Sequence, residues 1–228
     1  MRLLAFDTSG ARGAVAVGVD GEVRAERVLE VRAEHAAHLL PAIDAALREV
    51  GMGPGDLDGL VVGEGPGSFT GIRVAAATAK GLARALGIPL RPVSSLQAAA
   101  LAASEDEVAA GPAVRYALFD ARGDRVYAAC YATDGRSVEV LVEPRATRIA
   151  EILAEPVPLG SVFVGDGAAR HRSLIRGTGH HVAEDAGLEP LARGLLRSER
   201  FAAAPAVDAI SWEPRYVRAS SAERARSA

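Results

Sequence analysis

The stretch richest in potential chemistry is Gly63-Glu64-Gly65-Pro66-Gly67-Ser68-Phe69-Thr70-Gly71-Ile72-Arg73. A strand-like run, Leu60-Val61-Val62, enters it and a helical pattern leaves it. That order can offer backbone N–H groups at a helix N-terminus to an anion. The stretch has no Gly-Lys-Ser/Thr for a Walker loop and lacks the glycine spacing of a dinucleotide fingerprint. Ser68 sits between Gly67 and Phe69, without the flanking glycines of a hydrolase nucleophile elbow. The same glycines also suit a purely structural loop, where the backbone needs positive φ or close approach. The pattern alone leaves both roles open.

Two acids form the next constellation. Asp7, followed by Thr8 and Ser9, and Asp120, followed by Ala121 and Arg122, each end a strand-like run. Acids so placed in two like lobes could hold a nucleotide's phosphates and metal between them. The residues two positions on are Ser9 and Arg122, where close approach to phosphate would need glycine. That favours each acid capping its own turn through an Asx-type bond. His35 and His38 are three apart, whereas the zincin motif needs four-residue spacing with a glutamate beside the first histidine. No third ligand lies nearby in sequence, and no metal is expected. His180-His181 reads as loop, and Cys130, between Ala129 and Tyr131, as a small core residue.

These residues must be positioned by strands and helices, and the pattern of those elements repeats. Leu3-Leu4-Ala5-Phe6 runs into Asp7, and Ala14 to Val19 leads away to Asp20-Gly21, a hairpin dipeptide. Phe6-Asp7 recurs as Phe119-Asp120, 113 positions on, and Asp20-Gly21 as Asp134-Gly135, 114 on. Val62-Gly63-Glu64-Gly65 recurs as Val164-Gly165-Asp166-Gly167, 102 on. Two halves on one plan are the economical reading. Helical spacing runs through Leu39, Leu40, Ile43, Leu47 and Val50, with Pro41 expected in the first turn. A second helix is expected from Ser68 or Thr70 through Ile72, Ala75, Ala76, Ala79, Leu82, Ala83 and Leu86 to Gly87. Alternating strands and helices give an α/β class with mixed sheets flanked by helices.

Composition narrows the function. The chain has 228 residues, 49% hydrophobic and 24% charged, which excludes wholesale disorder. Twenty-six basic residues against 29 acidic ones leave a formal charge of −3, a poor basis for gripping nucleic acid unaided. Aromatics at 4% are too few for a base-stacking platform. One cysteine excludes an intramolecular disulfide. No signal-like or membrane-length apolar run is present, so a soluble, cytoplasmic chain is expected. The expected division is an N-terminal lobe over 1–105, a C-terminal lobe over 106–217 whose last helix could pack back on the first, and a tail of undefined order over 218–228. The lobes are expected to meet near the alanine-rich stretch and Gly111-Pro112.

Taken together, Leu4 to Ser9, His35 to Pro41, Gly65 to Arg73, Asp120-Ala121-Arg122 with Val126-Tyr127, and Pro214 to Arg218 resemble the TsaB (YeaZ) family. The run Gly65 to Arg73 is the specific piece; residues 132–205 are only loosely covered. The resemblance implies an actin-like (ASKHA) fold of two related lobes. It also implies a role in making threonylcarbamoyladenosine beside the anticodon of ANN-decoding tRNAs. In that pathway TsaC makes threonylcarbamoyl-AMP, TsaD transfers the group, and TsaE joins with ATP. The family member pairs with TsaD without catalysing the reaction, meets TsaE through the complex and tRNA indirectly, and forms a homodimer in isolation. No cofactor is implied for the chain alone; ATP or ADP could sit at the interface with TsaD. The family's partner surface is a bundle of the two helices at about 34–50 and 68–86. Carried onto this sequence, that puts His35, Leu39, Leu40, Ile43, Leu47 and Gly65 to Arg73 (Gly65, Pro66, Gly67, Ser68, Phe69, Thr70, Gly71, Ile72, Arg73), with Ala75 and Ala79, at the interface or in its motif. Asp7, Thr8, Ser9 and Asp120 become degenerate phosphate-turn positions. Two alternatives remain: an actin-fold kinase of a small metabolite, resting on Asp7 and Asp120, and an M22-like metallopeptidase, resting on His35 and His38.

Overall fold

A computed structural model describes residues 1–29, 35–102, 113–134, 137–158, 160–188, 190–202 and 204–216. The expected lobe boundary at Gly111-Pro112, the Gly135 half of the second hairpin dipeptide and the 218–228 tail lie outside the described residues.

Strand β1 (Arg2–Asp7) is the centre of the first sheet. It pairs antiparallel with β2 (Gly13–Val19), which pairs antiparallel with β3 (Glu22–Leu29). On its other side it runs parallel to β4 (Gly59–Gly63), and β4 to β5 (Leu90–Val93). The order β3-β2-β1-β4-β5 recurs in the second sheet as β8-β7-β6-β9-β10. Those strands are β6 (Ala113–Asp120), β7 (Arg125–Thr133), β8 (Val138–Arg148), β9 (Ser161–Val164) and β10 (His181–Val182). Strand directions repeat as well. The repeat in the sequence is therefore a repeat in space, with one difference. Phe6 faces Val62 across β1 and β4, whereas Val164 faces Ala117, not Phe119, across β6 and β9. The text match at the glycine turns is thus displaced by two positions in the ladder.

Alternation along the strands sorts side chains into two layers, because successive residues point to opposite faces. Leu4, Phe6, Val15, Val17, Leu60 and Val62 belong to one buried cluster, with α1 (His35–Glu49) and α2 (Phe69–Leu86). Leu3, Ala5, Ala14, Ala16 and Val61 belong to the other, with α3 (Ser95–Leu101) and α7 (Leu191–Ala202). The small residues on that second face let α7 lie close across β1, β2 and β4. Gly194 brings α7 against α3: a Cβ there would stand 2.9 Å from the Ala98 Cα, so a side chain is excluded. Polar bonds fix the same helix. Arg193 pairs with Glu26 of β3 at 2.6 Å, and Arg197 donates to the Leu101 carbonyl at 3.0 Å. The shorter helices α4 (Ile149–Ala154), α5 (Asp166–Arg170) and α6 (Arg172–Gly177) pack on the second sheet.

Helix α1 begins at His35, so Pro41 is its seventh residue and not part of the first turn, as the spacing had suggested. Proline there removes one i→i−4 bond. Pro41 and Ala37 are both exposed, so the carbonyl that Pro41 cannot bond lies on the solvent side of the helix. Helix α2 starts as expected: Ser68 is its N-cap, its Oγ accepting from the Gly71 N–H at 3.3 Å, and Gly87 closes it with φ +67°.

Candidate functional site

The turn after β1 and the glycine-rich stretch after β4 meet as one buried unit. Asp7, Thr8 and Ser9 are each at most 2% exposed. Asp7 Oδ1 accepts from the Ser9 N–H at 2.6 Å, the Asx bond the sequence favoured, and Oδ2 accepts from Ser95 Oγ at 2.5 Å. Ser95 Oγ in turn accepts from the Gly65 N–H at 3.0 Å, and the Ser95 N–H donates to the Gly65 carbonyl at 2.8 Å. Thr8 Oγ1 donates to the Gly71 carbonyl at 2.6 Å, and the Ser68 N–H donates to the Ser9 carbonyl at 2.7 Å.

Glycine is required in this stretch because two backbones touch. A Cβ on Gly71 would overlap the Thr8 carbonyl, standing 2.8 Å from its carbon, and one on Gly67 would stand 2.8 Å from the Ser9 Cβ. Of the N–H groups a phosphate loop would present, Ser68's is spent on the neighbouring turn, Gly71's on its own cap Ser68 and Gly65's on Ser95. The N-terminal end of α2 is plugged by the chain itself.

In the second lobe Asp120 does the same locally. Its Oδ1 accepts from the Arg122 N–H at 2.8 Å, its own N–H donates to Asp166 Oδ1 at 2.9 Å, and Arg170 pairs with Oδ2 at 3.3 Å. Nearby His171 has its pKa lowered by burial and then by the Arg170 charge. Both acids are therefore held within their own lobes.

The residues expected on a partner surface divide sharply. Leu39, Ile43, Leu47, Gly71, Ile72, Ala75 and Ala79 are buried, and Ala75 and Ala79 are wholly inaccessible. Gly65 and Pro66 are buried too. Leu39, Ile43, Leu47, Ala75 and Ala79 pack with β1, β2 and β4 in the chain's own core. The helical spacing was right, and the stripe it marks among these interface-or-motif positions faces inward, into the chain's own core. The outward stripe holds Ala37, His38, Leu40, Pro41 and Ala45 on α1, and Phe69, Thr70, Arg73, Ala77 and Gly81 on α2. Leu40 is 54% exposed. His35 opens α1, but its side chain lies outside the described residues. Among the described residues no three His, Cys, Asp or Glu side chains are grouped to hold a metal.

Sequence reasoning marked Pro214 to Arg218 as a family piece but not that this segment lies over the site. Residues 204–216 return from α7 to the first lobe as a strap. The Val207 N–H donates to the Leu90 carbonyl at 2.9 Å, beside β5. Lys80 Nζ donates to the Ile210 carbonyl at 3.3 Å and to Glu213 at 3.2 Å. The Arg215 N–H donates to the Glu64 carbonyl at 3.2 Å. Burial raises the Glu64 pKa, against the opposing effects of Arg215 and Trp212. At the end of the strap Tyr216 lies 5.5 Å from the Phe69 ring, whose face carries the Arg73 guanidinium at 3.8 Å. The run Trp212 to Tyr216, with its aromatics and Pro214, was the available signal.

Comparison with known proteins agrees with this architecture. Residues 26–186 match the family model of TsaD, tRNA N6-adenosine threonylcarbamoyltransferase. The protein named tRNA threonylcarbamoyladenosine biosynthesis protein TsaB from Bacillus subtilis is 33% identical, over 77% of this chain and 75% of its own. The Escherichia coli protein of the same name is 33% identical, over 96% of this chain and 95% of its own. The structure of YeaZ from Pseudomonas aeruginosa superposes with a TM-score of 0.78 at 28% identity, covering 94% of this chain and 99% of that one. With two lobes of actin-like (ASKHA) plan and these relatives, the chain belongs to the TsaB (YeaZ) family.

Proposed function

We propose that this chain serves the synthesis of threonylcarbamoyladenosine in tRNA as the non-catalytic partner of TsaD. The observation that carries the non-catalytic half is the plugged turn. Asp7, Thr8 and Ser9 are packed against Gly67 and Gly71, and the N–H groups of Ser9, Ser68 and Gly71 are already bonded to Asp7, Ser9 and Ser68. A catalytic relative that binds nucleotide between its lobes needs those donors open. The formal charge of −3 suits a scaffold better than a tRNA-gripping subunit.

The pairing surface is the outward stripe of α1 and α2, centred on Leu40, Pro41 and Ala45 against Ala77 and Gly81. Small residues there let a second pair of helices approach closely. The same stripe would pair two copies when TsaD is absent. TsaE and tRNA are reached through the complex, and ATP or ADP would be held only where TsaD completes the site.

The test is tRNA threonylcarbamoylation with TsaC, TsaD and TsaE of the same organism, with and without this chain. Product that depends on the chain, and is lost with Ala77→Glu while circular dichroism stays native, supports the reading. Product formed equally without the chain would end it. Stoichiometric Mg-ATP binding by the chain alone would favour an actin-fold kinase instead.

A further inference from the structure

A cavity of about 230 Å³ lies at the opposite end of the first sheet from the plugged turn. Met1 and Leu3 of the β1 end, Gly18 of β2, the Asp20-Gly21 turn, and Leu196 and Glu199 of α7 line it. Its size exceeds the roughly 150 Å³ of an engineered apolar cavity that binds benzene. Gly18 shapes its wall: a Cβ there would stand 3.0 Å from a Leu196 methyl, so only glycine leaves Leu196 where it is.

The lining is apolar apart from the Met1 ammonium, the largely exposed Asp20 carboxylate and the buried Glu199 carboxylate, and both carboxylates carry a partner already. Asp20 pairs with the N-terminal ammonium, and Glu199 pairs with Arg91 at 3.2 Å and accepts from the Ala204 N–H at 3.1 Å. Charge around the cavity is thus balanced, which disfavours an ionic occupant. A carboxylate offers about four lone-pair sites, and Arg91 and the Ala204 N–H use two of Glu199's, so it can accept from a further donor. Cavities of this kind, apolar with a few polar groups, are the usual form of small-molecule sites.

We propose that this cavity binds a small, neutral, mainly apolar molecule that carries a single hydrogen-bond donor. Indole is a suitable probe, having a flat apolar body and one N–H. Titration of the full-length chain by amide NMR should give saturable shifts at Gly18, Gly21 and Leu196. 1-Methylindole, which lacks the donor, should bind at least threefold more weakly. Benzoate and benzylammonium should bind at least tenfold more weakly. Leu196→Trp should fill the cavity and weaken indole at least tenfold. Should that variant fail to fold, Gly18→Ala, which forces Leu196 to move, should change indole affinity at least threefold. No saturation by indole, shifts centred elsewhere, or equal affinity for the charged probes would each overturn the proposal.

Discussion

Helix α2 contains two glycines whose surroundings are opposite, and the same substitution at each should change stability in opposite directions. At Gly71 a methyl group would overlap the Thr8 carbonyl and stand 2.8 Å from its carbon, and both belong to backbone that cannot rotate away. Relieving the overlap separates the turn from the helix. That sacrifices the Thr8 bond to the Gly71 carbonyl, worth about 1 kcal/mol. It also disturbs the Ser68 cap, worth about 0.5–2 kcal/mol. Strain from overpacking adds about 1–3 kcal/mol, and alanine's helix preference returns about 1 kcal/mol at most. Gly71→Ala should therefore destabilise the chain by roughly 2–5 kcal/mol. At Gly81 nothing lies within 4 Å of a new Cβ. Gly81→Ala should stabilise by about 0.5–1 kcal/mol through backbone entropy alone. For a chain of this size each kcal/mol moves Tm by about 2–4 °C. Thermal unfolding followed by circular dichroism at low protein concentration should show Gly71→Ala melting about 10 °C lower and Gly81→Ala a few degrees higher. Shifts of the same sign, or a neutral Gly71→Ala, would refute the plugged-turn argument.

Ala75→Glu should not fold, because its Cβ lies in the sealed core, whereas Ala77→Glu and Leu40→Glu should keep native circular dichroism and lose co-purification with TsaD. A folded Ala75→Glu would mean the inward stripe is wrongly assigned. Glu64 has its carboxyl raised above the ordinary 4.5 by burial, so the folded state holds that proton more tightly than the unfolded chain does. Its contribution to stability is full below pH 4.5 and is lost as pH rises through the folded value. Glu64→Gln keeps the size of the side chain and does not ionise, so its unfolding free energy minus that of wild type should grow between pH 4 and 7 in urea titrations; a flat difference would contradict this. Cys130 is fully buried with its thiol raised by burial, so it should resist a disulfide reagent at pH 8 until urea unfolds the chain. Rapid labelling of the native chain would show that β7 opens locally.

The duplication was legible because it is written in residues with strong local meaning. Phe-Asp ends β1 and β6, and the aspartates Asp20 and Asp134 follow β2 and β7, so they mark the same elements in both halves. What could not be read was direction. Periodicity showed that Leu39, Ile43 and Leu47, and Ala75 and Ala79, share faces of their helices, but a stripe of small and apolar residues fits a partner helix or a sheet equally well. Here the sheet takes it, since Phe6, Val15 and Val62 fill the space above the alanines. The two-position shift between β4 and β9 was hidden for a related reason. Similar turn texts need not share a conformation: Glu64 and Gly65 run on as loop, whereas Asp166 and Gly167 already belong to α5, and ladder register depends on what packs beneath. The place of the aromatic strap could not be read because its contacts, such as Tyr216 on Phe69, span more than 140 positions.

That strap and α7 have a consequence for how the chain is made. The first sheet is complete in sequence by Val93, yet the helix that covers one of its faces starts at Leu191, and the closing segment ends near Tyr216. At about 5–20 residues per second, a ribosome takes roughly 5–20 s to travel from one to the other. Throughout that interval the small-residue face of β1 and β2 waits uncovered, with alanines and a glycine where bulky side chains would otherwise invite misplaced partners. The amino-terminal half is in this sense the last part of the molecule to be finished.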